Sequence, residues 1–266
     1  MKKCTYCNKQ YVKLTKEHVV NKEFIKKFYN EGKGFSKKHN ALTIEYLTAK
    51  DVCAKCNNGV LSELDSSFLR FYEENLPTQL IEPKTEIFIT YNFEKISKWL
   101  LKTIYNSERI NHYPNLPMKM HRYANYIIGK DNRIKLFRIY LELLSDVPKD
   151  KTQKLSDLPE GFNGKFDFLK MSTSVSSEEL YKEDKEITKN LTSSNFHFHI
   201  FLLDPGRHTE SVFKARLINY KKELGTESLY YISPNDSKLK LIASNRTIID
   251  ILKNTIEGNR PFSDRE

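Results

Sequence analysis

The four cysteines of this 266-residue chain constrain its fold more than any other feature. They form two Cys-x-x-Cys pairs, Cys4 with Cys7 and Cys53 with Cys56, and the 210 residues that follow (266 − 56) contain none. Such a pair forms a tight knuckle whose sulfurs can share one metal ion, and two knuckles complete the tetrahedron that zinc prefers. Two disulfides, or four unrelated thiols, are the alternatives, and disulfides do not suit a chain without a secretory segment. The spacing therefore predicts one structural zinc.

The charge and hydropathy of the chain favour a polyanionic partner and no membrane. The formal net charge is +10, from 44 Lys and Arg against 34 Asp and Glu. A basic surplus attracts phosphates because each neutralised phosphate releases condensed counterions. No apolar run approaches the roughly 18 residues that a membrane span needs, and the N-terminus leads directly into the first cysteine pair. We therefore expect a cytoplasmic protein, with nucleic acid as its partner.

Polar residues of catalytic type lie next to both knuckles. Glu17 and His18 precede two valines in a segment with strand propensity, and adjacent strand residues point to opposite faces. Asn57 directly follows the last cysteine, Gly59 suits a tight turn, and helical spacing begins at Val60. A knuckle, a short hairpin and a second knuckle at a helix start form the layout of a treble clef.

Together these residues resemble the zinc-containing branch of the HNH, or ββα-metal, endonuclease superfamily. The similar bacterial group reads Cys-x-x-Cys, then Glu-His-Val, then Cys-x-x-Cys-Asn-Asn-Gly-x-x-Ser-x-Leu. The matching residues are Cys4, Cys7, Glu17, His18, Val19, Cys53, Cys56, Asn57, Asn58, Gly59, Ser62 and Leu64. The similarity covers about a quarter of the chain, and a fainter match follows at 96–103, where relatives often carry a Trp-bearing helix.

The resemblance implies metal-dependent hydrolysis of phosphodiester bonds that leaves a 5′-phosphate and a 3′-hydroxyl. His18 would be the general base that takes the proton of the attacking water. Glu17 and Asn57 would be oxygen ligands of a catalytic Mg²⁺ or Mn²⁺. Asn40 would be the residue that orients the base, with His39 as the alternative. The sequence departs from many HNH proteins in having Glu17 where they have Asp.

The remainder of the chain indicates a second domain. We expect an α+β protein with a treble-clef or ββα-metal module at 1–76, followed by a separate α+β domain at 77–266. That domain would position nucleic acid, dimerise or sense a trigger. The spacing predicts a helix over 94–107 with Trp99 in the core. Further predictions are strands over 196–203, 213–220 and 228–232, a helix or buried strand over 134–144, and a surface loop or exposed helix within 158–195.

Two further sites carry residue types that can bind metal. His197 and His199 share one face of a predicted strand, and we interpret that face as the solvent side of a half-buried strand. Asp65 lies about two helical turns beyond Asn57, and we predict a solvated helix position there and no ligand role.

The leading interpretation is an endonuclease acting on double-stranded DNA in anti-phage defence or a mobile element, as a homodimer or with an activating partner. One alternative is a zinc module that binds nucleic acid without cutting it. Another is an RNA-cleaving effector on the same scaffold. A third is a metal enzyme centred on His197 and His199.

Overall fold

The computed structural model divides the chain into two compact units, each built from several stretches of sequence. The residues described are 1–24, 34–36, 41–43, 48–77, 79–111, 119–132, 137–146, 169–175, 187–203, 209–248 and 250–251. The first unit contains Met1–Asn75, Thr90–Ile134 and Ser233–Ser237, and the second contains Leu76–Ile89, Lys135–Ile232 and Lys238–Glu266. Both contain helices and strands, which confirms the α+β class. A single division after residue 76 does not coincide with these units, because 90–134 belongs to the first.

Short antiparallel hairpins form the N-terminal part of the first unit. The strands are β1 (Lys2–Lys3), β2 (Gln10–Tyr11), β3 (Thr15–His18), β4 (Gly34–Ser36), β5 (Ala41–Thr43) and β6 (Thr48–Val52). They pair as β1 with β2, β3 with β6, and β4 with β5. The strand that completes the hairpin with β3 is therefore β6.

Helices complete the first unit. They are α1 (Ser62–Asn75), which follows helical turns over Ala54–Cys56 and Asn57–Leu61, then α2 (Phe93–Asn111), a 3₁₀ turn (Lys119–Tyr123) and α3 (Ala124–Ile127). Helix α2 confirms the helix predicted over 94–107. No helix in the described ranges is both long and apolar enough to cross a membrane.

Aromatic packing joins α1 to α2. The rings of Phe68 and Trp99 stack with their centroids 3.5 Å apart and their planes 4° apart, and Phe24 and Tyr72 pack beside them. All four side chains are buried, as predicted for Trp99. Burial of one large apolar side chain contributes roughly 1.5–3 kcal/mol, so this cluster is a main source of stability for the unit. It also explains why α2 belongs with the N-terminal residues.

A five-stranded antiparallel sheet is the centre of the second unit. Its strands, in spatial order, are β12 (Tyr230–Tyr231), β8 (Phe137–Leu143), β11 (Phe196–Leu202), β10 (Ile187–Ser193) and β9 (Leu169–Val175). Two more strands, β7 (Glu86–Thr90) and β13 (Lys238–Ile242), pair with each other, and helix α4 spans Glu210–Leu224. The strand predicted over 196–203 is confirmed. The segment 134–144, predicted to be either a helix or a buried strand, contains strand β8.

Two secondary-structure predictions for the second unit are wrong. The segment 213–220 lies inside α4, where the Thr209 side chain accepts a hydrogen bond from the Val212 N–H and Gly225 ends the helix at φ 65°. Phe213 and Leu217, four residues apart, form one apolar helical face against Phe201. Residues 158–195, expected to be a loop or an exposed helix, contain β9 and β10. The charged run at 178–186 lies outside the described residues.

Candidate functional site

The four cysteine thiols converge at one point of the first unit. Cys4 and Cys7 lie between β1 and β2, and Cys53 and Cys56 flank the helical turn after β6. The four Sγ atoms all lie within 4.8 Å of one another, and those of Cys7 and Cys53 are 3.9 Å apart. No disulfide joins them. Four cysteines converging without a disulfide are what a shared tetrahedral metal site needs, so they fit the predicted metal site.

Local backbone geometry explains why the thiols converge. Asn8 has a positive φ of 60°, and its N–H donates to the Cys4 carbonyl oxygen at 3.0 Å, which closes the first knuckle. Backbone N–H groups then point at sulfur, from Cys53 to Cys4 Sγ at 3.3 Å and from Cys56 to Cys53 Sγ at 3.4 Å. Burial raises the pKa of Cys53, but hydrogen bonds, led by that of Tyr11, outweigh burial and lower it to about 7. Backbone N–H donors also lower the pKa of Cys4, but burial outweighs them there and raises its pKa, and burial raises the pKa of Cys56 as well.

Asn57 is bonded to the strand that carries Glu17 and His18. Its Nδ2 donates to Thr15 Oγ1 at 2.9 Å and to the Lys16 carbonyl oxygen at 2.8 Å. The residue after the last cysteine is therefore held against the start of β3, whose far end is the Glu-His pair. Asn40 and His39, the candidates for orienting the base, lie outside the described residues.

Glu17 is buried in a network of ion pairs that the sequence patterns did not predict. Its side chain Oε1 lies 2.7 Å from Lys102 Nζ and accepts from Asn106 Nδ2 at 3.4 Å. Lys102 is fully buried and also donates to both carboxylate oxygens of Asp65, at 2.6 and 2.7 Å. Burial raises the pKa of Glu17, and the Lys102 ammonium counteracts part of that rise. One lysine thus holds two carboxylates in the interior of the unit.

Asp65 is not the solvated helix residue that we predicted. It is only 8% exposed, and Trp99 Nε1 donates to its Oδ1 at 2.9 Å in addition to the two Lys102 bonds. Its role is to pair with Lys102, so the prediction of solvent exposure is wrong. A polar residue on the core side of a helix is satisfied in this way by a partner from another element.

Helix α2 supplies several polar residues that sequence reasoning missed. Lys102, Asn106 and Arg109 follow Trp99 at intervals of three, four and three residues, which places all four along one side of the helix. Asn106 Nδ2 donates to the His18 carbonyl oxygen at 3.1 Å, and its Oδ1 accepts from Tyr6 OH at 2.6 Å. The signal was the recurrence of polar side chains at helical spacing on the side of the helix that carries the buried Trp99. This row holds the backbone and side chains of β3.

His18 is partly exposed at the end of β3, opposite Thr48 of β6. Burial and then the nearby Lys102 charge lower the pKa of His18 from its ordinary value of 6.5. Both causes disfavour the imidazolium, so the neutral ring predominates at pH 7. A neutral imidazole with access to solvent can accept a proton from water.

Replacing Lys102 by methionine tests the buried network. Lys102→Met keeps the side-chain length but leaves the carboxylates of Glu17 and Asp65 without their shared cation. We expect a loss of about 3–5 kcal/mol in the free energy of unfolding, the usual cost of breaking a buried ion pair on one side. Urea unfolding followed by circular dichroism measures it.

The matched control for that variant is Lys95→Met, on the same helix. Lys95 is exposed to solvent, so its replacement is expected to change the free energy of unfolding by less than about 0.5 kcal/mol. Equal losses in the two variants would contradict a special role for the Lys102 network.

His197 and His199 do not lie on a solvent face. Every residue of β11 is buried, because β11 is an inner strand of the five-stranded sheet. A carboxylate partner, which the sequence pattern did not reveal, is present in Glu142 of the neighbouring β8, directly opposite His197. The prediction of a half-exposed strand is therefore wrong at these two residues.

Comparisons of the chain with models of known protein families, with characterised proteins and with solved structures give no match.

Proposed function

We propose that this chain is a metal-dependent endonuclease of the HNH type that hydrolyses phosphodiester bonds, with double-stranded DNA as its substrate. The observation that carries the proposal is the attachment of Asn57 to β3 through the Thr15 hydroxyl and the Lys16 carbonyl oxygen. This attachment joins Asn57 to the strand of Glu17 and His18, about 40 positions away in sequence, next to the four cysteines. A zinc module that only binds nucleic acid does not need this combination.

Zinc has a structural role in this proposal. Four thiols within 4.8 Å of one another suit a closed tetrahedral site with no position left for substrate. The Cys53–Cys56 knuckle begins the helical turns that carry Asn57, so a zinc ion fixes that residue relative to β3. The cysteines hold geometry and take no part in the reaction.

Glu17 and Asn57 are the residues that would hold a catalytic divalent cation. A carboxylate and an amide oxygen are hard donors, and in kind they fit Mg²⁺ or Mn²⁺. The cation would stabilise negative charge that develops during phosphodiester cleavage. Lys102 and Asn106 fix Glu17 through its Oε1, and the bonds of Asn57 to β3 use its Nδ2 and not its Oδ1.

His18 acts as the general base. Its neutral ring takes a proton from water as the water oxygen attacks phosphorus. The bond from phosphorus to the 3′ oxygen then breaks, and that oxygen takes a proton from solvent water as it leaves, which gives a 5′-phosphate and a 3′-hydroxyl. The Asn106 bond to the His18 carbonyl oxygen holds the backbone from which the ring projects.

The formal charge of +10 supports a polyanionic substrate. We propose that the second unit positions the nucleic acid, dimerises or receives an activating signal. Anti-phage defence or a mobile element is the proposed setting, by analogy with the family that the motif resembles.

The test is cleavage of supercoiled plasmid and of total RNA by the full chain, with Mg²⁺, with Mn²⁺ and with chelator. We expect nicked or linear plasmid with either cation and none with chelator. Cleavage of RNA alone would replace the DNA proposal with the RNA-cleaving effector. Binding of both substrates without cleavage, by protein that carries its zinc, would contradict an enzyme and favour the binding module.

The pH dependence of cleavage tests the role of His18. Because the pKa of His18 is lowered from 6.5 and the neutral ring is the active form, activity should rise as pH increases through that lowered pKa. We therefore expect the midpoint of the acidic limb below pH 6.5, with full activity at pH 7. Single-turnover plasmid nicking from about pH 5 to 8 measures it. A midpoint above 6.5 would contradict this assignment.

A further inference from the structure

A second cluster of metal-binding side chains lies in the five-stranded sheet of the second unit. Glu142 of β8 is directly opposite His197 of β11, and His199 lies two residues further along the same face. The three residues are 0%, 2% and 0% exposed. Neither the four-cysteine cluster nor the proposed nuclease site includes them.

The donor atoms of these three residues are close enough to share one ion. One ligand atom from each lies within 4.8 Å of the others, and the two imidazole rings have centroids 4.1 Å apart at 83°. His199 Nε2 is 3.6 Å from Glu142 Oε2, which is longer than a hydrogen bond. When two ligand atoms each lie about 2.0–2.2 Å from one zinc ion, the distance between the two atoms is similar to this one or slightly shorter.

Two buried atoms of the cluster make no hydrogen bond. They are His199 Nε2 and Glu142 Oε1, and both lie in the interior of the described part of the second unit. Buried polar atoms almost always have a hydrogen-bond partner or bind an ion, so two such atoms without a hydrogen bond on adjacent strands indicate a shared partner. A metal ion between them satisfies both, since a neutral imidazole nitrogen and a carboxylate oxygen are electron-pair donors.

The atoms around the cluster hold these ligands as the outer shell of a metal site does. Tyr220 OH is 2.9 Å from His199 Nδ1, and Thr192 Oγ1 is 2.6 Å from His197 Nδ1. Metal-ligating histidines use their second ring nitrogen in this manner, which fixes ring orientation and tautomer. Arg246 Nη1 donates to Glu142 Oε2 at 2.8 Å, which leaves Oε1 as the carboxylate oxygen without a hydrogen bond.

We infer that Glu142, His197 and His199 form a second metal site, for a divalent transition ion of the zinc class. Two imidazoles and one carboxylate suit Zn²⁺ and its neighbours better than Mg²⁺, which prefers oxygen donors alone. The ion joins β8 to β11 inside the sheet. Because all three ligands are closed off from solvent, the site stabilises the second unit and does not receive substrate.

The test measures how many metal ions the wild-type chain binds. Protein is incubated with excess Zn²⁺, dialysed against excess Mg²⁺, which competes with zinc for the proposed site at Glu17 and Asn57, and analysed by inductively coupled plasma mass spectrometry. We expect two zinc ions per chain, of which a thiol-modifying mercurial releases one, the ion bound to the cysteines. One zinc ion per chain, fully released by the mercurial, would overturn the inference, and this result does not depend on any nuclease activity.

Variants assign the second ion to these residues. Glu142→Gln and His199→Gln should each bind one zinc ion per chain, the one that the mercurial releases. The control His121→Gln changes an exposed histidine of the first unit and should keep two. Two ions retained in both site variants would contradict the assignment. If a variant fails to fold, the visible absorption of the wild-type chain loaded with Co²⁺ provides the test. After treatment with the mercurial, this protein must keep visible absorption that lacks thiolate-to-cobalt charge transfer.

Discussion

Replacing His18 by alanine should lower the rate of plasmid cleavage by about 10²–10⁴-fold, the usual contribution of a positioned general base. The alanine removes the ring that accepts the proton of water but leaves the Asn106 bond to the backbone at residue 18 intact. The cysteine cluster, formed by other residues, should keep its zinc. Initial rates of supercoiled plasmid nicking, on protein of equal zinc content, measure the effect.

A second histidine of the first unit provides the control for that experiment. His121 is exposed, and the residue to which its Nδ1 bonds is Tyr105, through the OH group, and not a residue of β3. His121→Ala should therefore cut at the wild-type rate. Added imidazole should restore part of the activity of His18→Ala and none to a variant that is merely misfolded. Equal rates for His18→Ala and wild type would show that the base is another residue.

The parts of this structure that followed from sequence depend on short-range patterns. The cysteine cluster is set by two spacings of three residues, and helix α2 by apolar residues recurring along one face. The strand of Glu17 and His18 was expected from the two valines beside it. In each case the neighbours along the chain decide the local structure, so no knowledge of the tertiary fold is required.

The network around Lys102 did not follow from sequence because its partners come from distant elements. Asp65 is 37 residues from Lys102, and Glu17 is 89 residues from Asn106. A lysine is almost never fully buried unless it is paired, and no Asp or Glu lies within one helical turn of Lys102 in the sequence. Only the packing of α1 against α2, through Phe68 and Trp99, brings the carboxylates to it.

The predictions that were wrong for the second unit failed for the same reason. Residues 213–220 have strand-like composition, yet the Thr209 cap and the apolar pair Phe213 and Leu217 stabilise a helix there. His197 and His199 suggested a solvent face because polar residues alternate with apolar ones. Their strand is instead paired on both edges and covered on both faces, and Glu142, on β8, is the partner that alternation cannot predict.

Loss of a single cysteine should unfold the first unit. Structural zinc contributes about 10–16 kcal/mol to folding in small zinc modules, which equals or exceeds the roughly 5–15 kcal/mol total stability of most domains. We therefore expect Cys53→Ser and Cys7→Ser alike to lose the cysteine-bound zinc and the protected structure of β3 and α1. Mercurial-releasable zinc and hydrogen exchange of peptides from those elements measure the two losses.

The comparison of these two cysteines separates metal binding from simple burial. Cys53 is 1% exposed, whereas Cys7 is partly exposed. If the thiols merely filled space, Cys53→Ser would be costly and Cys7→Ser nearly neutral, because an exposed sulfur contributes little apolar burial. If they share one ion, both variants fail together, since each removes one of four ligands. Wild-type stability and zinc content in Cys7→Ser would therefore contradict the zinc site, and with it the scaffold that holds Asn57 against β3.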